Sequence, residues 1–317
     1  MTVHSNPLES GTIPTDHQPL APSHGAWTIA VIIPTVGRAP TIRRTVERLA
    51  QQSRRPDRVI VVGVSEADVK GVAGASPELE VHFAPAGSCS QRNHAIDLIE
   101  GQADLVVFFD DDFVPTKDYL ASAEHLFRTN LEIAGAYGRV IADGARGQGI
   151  TFDDALSLVE AYRPAPDQGA SLAPRQGGLY GCNMVFRAEA IDGLRFDENL
   201  PLYGWQEDID FSFRAGLHGR LVRCSDFWGV HMGEKAGRSS GRRFGYSQIA
   251  NPLYLKNKGS MPFDRAFRLM RDNFVSNLVR SFFPEPYIDR RGRLLGNIIA
   301  LIDLFRRRLN PRRILEL

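Results

Sequence analysis

Leu105-Val106-Val107-Phe108-Phe109 is an unbroken apolar run, and Asp110-Asp111-Asp112 follows it directly. A run this short, built from β-branched and aromatic residues, predicts a strand buried on both faces, as in parallel sheets. Three carboxylates at its carboxyl end repel one another unless a cation neutralises them. A solvated acidic turn capping the next helix would show the same three residues, but entry from a wholly apolar strand favours a site.

Working upstream, Thr28-Ile29-Ala30-Val31-Ile32-Ile33 reads as a second buried strand, ended by Pro34. Ile42, Val46, Leu49 and Ala50 have helical spacing within residues 41–50. Strands are expected at Val59–Val62 and Val81–Phe83, and a helix from a Ser88 or Ser90 cap to about Glu100. This strand–helix alternation predicts a doubly wound α/β half with right-handed crossovers. Ligands of such sheets gather beyond the carboxyl ends of the strands, where Pro34-Thr35, Gly63 to Glu66 and the three aspartates fall.

Downstream the alternation loosens. Helices are expected at Pro115–Asn130, Phe152–Tyr162 and Gln206–Ala215, and strands at Ala134–Ile141, Asn183–Phe186 and Leu221–Cys224. A Gly- and Pro-rich loop is expected over Pro164–Gly181. This half reads as an addition to the same sheet.

Composition narrows the function classes. Of 317 residues, 43% are apolar and 24% charged, the balance of a globular protein with a real core. The formal net charge of +1 excludes a globally basic nucleic-acid binder. Three dispersed cysteines suit neither a disulfide scaffold nor a structural zinc site. No apolar run approaches the roughly 20 residues of a spanning helix. Residues 1–26 hold no Lys or Arg and four prolines, so they read as a flexible tail rather than a signal peptide, and the chain is expected in the cytoplasm.

Three further groups carry candidate chemistry. Glu207-Asp208 begins a predicted helix beside Trp205. One of the two acids suits a general base, although acids are also ordinary first-turn residues, and pairing with Arg214 would favour a structural role. His231 lies between Gly229 and Gly233, which permit close approach; a lone histidine is more often structural than a ligand. Gln91-Arg92-Asn93 opens a predicted helix, where an Arg makes either an anion contact or a solvated first turn.

Taken together, these residues resemble the family-two glycosyltransferases of the GT-A fold. Pro34-Thr35-Val36-Gly37-Arg38 is similar to the family's Pro-Thr opening, Gln91-Arg92-Asn93 to its Arg-Asn helix entry, and Asp110-Asp111-Asp112 to its DXD motif. Gly181-Cys182-Asn183 resembles its small-residue segment, Glu207-Asp208 its ED pair, and His231 its late metal-binding histidine. The resemblance covers about residues 28–260. It implies an α/β, Rossmann-like, mostly parallel central sheet with helices on both faces, plus a C-terminal helical extension. The expected organisation is a tail (1–26), a GT-A domain (27–260) with a nucleotide half (27–112) and an acceptor half (113–260), and a basic helical extension (261–317).

The resemblance also implies a reaction. A nucleotide-diphosphate sugar would give its sugar to a hydroxyl acceptor with inversion. Mn²⁺ or Mg²⁺ would be held by Asp112 and His231, with Asp208 as base and Glu207 as an orienting neighbour. Pro34, Thr35, Arg38, Glu66, Arg92, Asp110 and Asp111 would line the donor, and Asn183 and Trp205 the acceptor. One departure stands out: the family's base-reading Asp after the second strand is replaced by Gly63, with Glu66 slightly later.

Two competing classes remain. A nucleotidyltransferase would need a triphosphate grip for which Gly37-Arg38-Ala39 is thin, and Glu207-Asp208 would go unexplained. A non-catalytic sugar-nucleotide or membrane-surface adaptor would leave the acid–acid–histidine set unused. The segment Glu285–Leu317 holds eight arginines against four acids, and Leu294, Ile298, Ile302, Phe305 and Leu309 recur at helical spacing. Such a helix either packs back on the domain or lies on an anionic cytoplasmic leaflet, which would suit a lipid-linked glycan acceptor.

Overall fold

The computed structural model describes residues 25–164, the backbone of 173–174, and residues 178–236 and 240–317. Residues 1–24 of the predicted 1–26 tail and most of the predicted 164–181 loop lie outside the described residues. The chain runs β1 (Ile29–Pro34), α1 (Ala39–Leu49), β2 (Arg58–Gly63), β3 (Leu79–Phe83), α2 (Ser88–Ile99) and β4 (Leu105–Phe109). It continues through β5 (Phe113–Pro115), α3 (Tyr119–Thr129), β6 (Ile133–Asp143), α4 (Phe152–Ala161), β7 (Ala173–Pro174), β8 (Asn183–Arg187), α5 (Glu207–Ala215) and β9 (Arg220–His231). Three helices follow: α6 (Gly241–Lys258), α7 (Phe263–Arg280) and α8 (Arg290–Phe305).

One mixed sheet organises the chain, in the order β3-β2-β1-β4-β8-β6-β9-β5, with β7 also on β9. β1 to β4 pair in parallel, β8 is antiparallel to β4 and β6, and β6 and β9 are parallel. The unbroken apolar strands have a physical cause. Ile29, Val31 and Ile33 face the core beneath α1 and α3, while Ala30 and Ile32 face the core shared with α2 and α5. A strand buried on both sides needs apolar residues at every position.

Three expectations needed correction. Pro115 is not the start of a helix: Phe113–Pro115 pairs with Gly229–His231, and α3 begins at Tyr119. The last strand extends well past Cys224 to His231 because β5 supplies that non-local partner. Neither Ser88 nor Ser90 caps α2, whose N-cap is Gly87; the Ser90 hydroxyl instead meets the Pro85 and Gly87 carbonyls.

The C-terminal helices meet through a polar and glycine-rich seam. A Cβ on Gly245 would lie 2.0 Å from the Arg293 carbonyl oxygen, and one on Gly296 would lie 2.0 Å from that of Arg242. Glycine therefore permits the α6–α8 backbones to touch. Buried amides complete the seam: Asn277 donates to Gln248 (2.7 Å) and Asn297 (2.9 Å), and Asn297 donates to the Gly245 carbonyl (2.6 Å). The predicted apolar face of the last helix is split, for Ile298, Ile302 and Phe305 are exposed while Leu294 and Leu309 are partly buried.

Candidate active site

The carboxyl ends of β1, β4 and β6 lie along one edge of the sheet, and the antiparallel β8 and the long β9 bring their own residues to it. One connected polar network forms there. Asp111 accepts from the Thr35 hydroxyl (2.7 Å) and from Arg38 (2.6 Å). Arg38 lies 3.5 Å from Asp112, which in turn lies 3.5 Å from His231 Nε2. Asp110 stands 3.9 Å from that nitrogen and accepts from Arg92 at 2.9 Å. Arg92, fully buried, also donates to Glu207 at 2.6 Å. Thr35, Arg38, Arg92, Asp110, Asp111, Asp112, Glu207 and His231 are thus brought together from elements far apart in sequence.

Within this network, one ligand atom each from Asp110, Asp112 and His231 falls within a 4.8 Å group. His231 Nδ1 is 3.0 Å from Asp143 Oδ1, so Nδ1–H donates to that carboxylate and Nε2 points toward the aspartates. Asp143 also accepts from the Tyr180 hydroxyl at 2.8 Å. The Asp112 Oδ2 atom accepts from the Glu234 amide (2.7 Å), whereas buried Oδ1 has no hydrogen-bond partner. An orphaned, buried carboxylate oxygen beside an imidazole nitrogen and a second carboxylate fits a divalent cation.

Asp110, Asp111, Asp112, Asp143, Glu207 and Asp208 share two guanidinium groups and one imidazole, so negative charge is in surplus. Burial pushes Asp111 up to about 7, against the pull of Arg38, and pushes Glu207 up to about 8, with Asp208 adding to burial and Arg92 opposing. Burial also raises Asp110. For Asp112 burial is outweighed by His231 and Arg38, which hold its carboxyl well below the usual range. For His231 burial is likewise outweighed, by Asp112 and Asp143, which push it up to about 10.

The acidic pair divides its duties. Glu207 is committed to Arg92, while Asp208, half-buried, accepts from the backbone amides of Gly181 (2.9 Å) and Ile209 (2.8 Å). Arg214 pairs with neither; it meets Asp210 at 2.9 Å. A wound segment aims the pair: Leu202 (φ 59°) and Gln206 (φ 77°) both adopt the left-handed region that side chains avoid.

Other expected site residues lie outside this network. Glu66 is exposed on a short 3-10 segment, and its neighbour Asp68 instead binds the Gly37 (2.7 Å) and Ser65 (2.8 Å) amides. Asn183 is sealed within β8 with its amide on the Gly138 carbonyl. Trp205 is half-buried, edge-on to Phe244. Pro34 ends β1, directly before Thr35. Sequence reading missed Asp143, Tyr180 and Asp68; the first lies at a strand end, where the same rule that selected Asp110 to Asp112 would have found it.

A mixed α/β sheet with an acid–acid–imidazole group at its strand ends defines a GT-A type of protein. Residues 25–224, more than half of the chain, match the family described as glycosyltransferase like family 2, and the chain belongs to that family. A comparison with curated proteins found no match. Among solved structures, the mannosyltransferase PcManGT from Pyrobaculum calidifontis, in complex with GDP-Man and Mn²⁺, is 18% identical with a TM-score of 0.53, over 95% of this chain and 88% of that one. The S. aureus TarS 1–349 fragment in complex with UDP-GlcNAc is 18% identical with a TM-score of 0.49, over 73% of this chain and 67% of that one. Against a longer TarS chain, the coverage is 55% of that chain.

Proposed function

We propose that the protein transfers a sugar from a nucleotide-diphosphate sugar to a hydroxyl acceptor, inverting the anomeric centre. The observation that carries this is the orphaned Asp112 Oδ1 facing His231 Nε2 at 3.5 Å, with Asp110 beside them at the strand ends. Asp112 and His231, with Asp110 adjacent, would hold Mn²⁺ or Mg²⁺, and the imidazole favours Mn²⁺. When bound, such an ion neutralises charge on a departing diphosphate.

The chain's own residues supply the rest. Arg38 and Arg92 offer positive charge to the donor phosphates, and Thr35 and Asp111 hold Arg38 in place. Asp208 takes the proton of the attacking hydroxyl, because Glu207 is engaged with Arg92. A base across the sugar from the leaving group gives inversion in one displacement. Trp205, with exposed Tyr203 nearby, offers an aromatic platform for an acceptor sugar. The basic C-terminal helices support an acceptor carried on lipid, in assembly of surface polysaccharide or glycolipid at the cytoplasmic face of a membrane.

The test is donor hydrolysis by the purified chain, screened over nucleotide sugars beginning with GDP-mannose and UDP-GlcNAc. Nucleoside diphosphate should appear with Mn²⁺ or Mg²⁺ and cease with EDTA. Asp112→Asn should abolish turnover while the thermal transition persists. Release of pyrophosphate would move the protein to the nucleotidyltransferases, and full metal-dependent activity in Asp112→Asn would remove the metal assignment.

A further inference from the structure

The C-terminal helices carry their apolar residues outward. α8 turns Gly296, Asn297, Ala300 and Asp303 inward and leaves Leu295, Ile298, Leu301, Ile302, Leu304 and Phe305 exposed. In α7 the buried residues are Ala266 and Asn277, while Val275, Leu278 and Val279 are exposed. Phe282 and Phe283, just beyond its end, are 70% and 89% exposed, and Phe305 is 90% exposed. Helices on a globular surface normally face the other way, and contiguous apolar exposure of this extent marks a contact surface.

Charge identifies what covers it. Residues 263–317 hold twelve arginines and no lysine against six acids, a net of +6, while the whole chain carries +1. Many of these arginines are paired, but the side chains of Arg291, Arg306, Arg307 and Arg312 make no ion pair among the described residues. Arg307 even adopts a left-handed backbone (φ 56°) at the end of α8, where glycine is the usual residue. A second copy is a poor occupant, since a twofold contact would set these arginines against their own images, and interface cores are depleted of charge. Exposed apolar side chains on a basic segment match the acyl and headgroup layers of an anionic bilayer.

The segment that joins α7 to α8 also reaches the loop that follows β9. Lys235, four residues past His231, places Nζ 5.8 Å from the Tyr287 ring centroid, and the neighbouring Glu234 amide holds Asp112. At most about 18 Å of extended chain separates Tyr287 from Phe282.

We propose that the exposed faces of α7 and α8, with the Phe282-Phe283 turn, dock this protein on an anionic lipid bilayer and hold the mouth of the site at the membrane surface. The docking stands on its own; its consequence, delivery of a lipid-linked hydroxyl to Asp208, rests on the glycosyl-transfer reading above.

Vesicle flotation of the full chain tests it, with phosphatidylcholine vesicles and with vesicles containing phosphatidylglycerol. The protein should float with the anionic vesicles, and added salt should release it. The variant Phe282→Ser/Phe283→Ser/Phe305→Ser should lower partitioning about 10-fold or more. Each arginine near such a surface strengthens binding about fivefold, so Arg291→Gln/Arg306→Gln/Arg307→Gln should lower it about 10²-fold and flatten the salt dependence. All six residues are at the surface, so both variants should keep the wild-type melting transition. Absence of flotation at low salt, or unchanged flotation of the Phe variant, overturns the proposal. So does a concentration-dependent dimer that the Phe variant dissociates, which would make a second copy the occupant. Vesicle-free donor hydrolysis separates the two readings: its absence in the wild type would sink the catalytic assignment and leave docking untouched.

Discussion

Replacing Asp143 tests how the imidazole of His231 is set. The carboxylate receives Nδ1–H at 3.0 Å and the Tyr180 hydroxyl at 2.8 Å, so it fixes both the tautomer and the ring plane. A carboxylate behind a ligating histidine usually contributes 10- to 100-fold to metal affinity. The size expected here follows from exposure: the Asp143 side chain is 35% exposed, so water replaces part of what is lost. Asp143→Asn keeps a neutral acceptor and should weaken Mn²⁺ binding about 10-fold. Asp143→Ala removes it and should approach 10²-fold, and Tyr180→Phe should cost only a fraction of that. Titration followed by the paramagnetic signal of free Mn²⁺ reads affinity without any turnover. If Asp143→Ala binds Mn²⁺ within about twofold of wild type and melts normally, His231 is held by something else and the ligand assignment loses its support.

Further expectations follow from single contacts. Asp208→Asn should lose transfer about 10²-fold or more yet still bind donor; an active Asp208→Asn beside an inactive Glu207→Gln would exchange their roles. Asp210 is fully buried and holds Arg214 and Lys258, each at 2.9 Å, so Asp210→Ala takes the carboxylate from Arg214 and leaves Lys258 with Asp197 alone. Those cations are 23% and 29% exposed and partly rehydrate, which places the loss at about 2–3 kcal/mol in urea unfolding rather than the larger cost of a dry pair; unchanged stability would refute the coupling of α5 to the C-terminal helices. Burial acts to raise Asp197, but Lys258, Tyr254 and the Asn199 amide outweigh it and bring its carboxyl from 3.8 down to about 2. A depressed carboxylate stabilises the fold above its unfolded pKa and loses that contribution as pH falls through its folded one. Asp197→Asn should therefore remove about 1–2 kcal/mol at neutral pH, allowing for partial exposure, and should flatten the stability loss between about pH 4 and 2. An unchanged acid limb would count against it.

What was readable in the sequence divides along a physical line. β1, β2 and β4 were plain because strands buried on both faces leave no polar position to confuse the period. The metal-type cluster was readable because its residues sit where such strands end. Elements made by distant partners were not. β5 is three residues long and exists only through Gly229–His231, so Pro115 looked like a helix start. Asp143 escaped because the predicted strand stopped at Ile141, two residues short of its true end. Arg214 was a candidate partner for the Glu207-Asp208 pair, although its i,i+4 neighbour is Asp210, which it meets.

The last helix shows a deeper limit. Periodicity reports which residues share a face, but not which side of the helix the protein occupies. In α8 the inward side was decided by Gly245 and Gly296, which let α6 and α8 touch backbone to backbone, and by the Asn277–Asn297 amides, which satisfy one another only in that seam. Rotating α8 to bury Ile298 and Phe305 would push bulky side chains into a crossing with no room for a single Cβ, and would expose amides that are now fully bonded. The outward apolar face is thus a consequence of the close crossing. A protein that keeps this crossing presents that face to a cover, and four arginines nearby in sequence, with no ion pair among the described residues, favour a cover that is negatively charged.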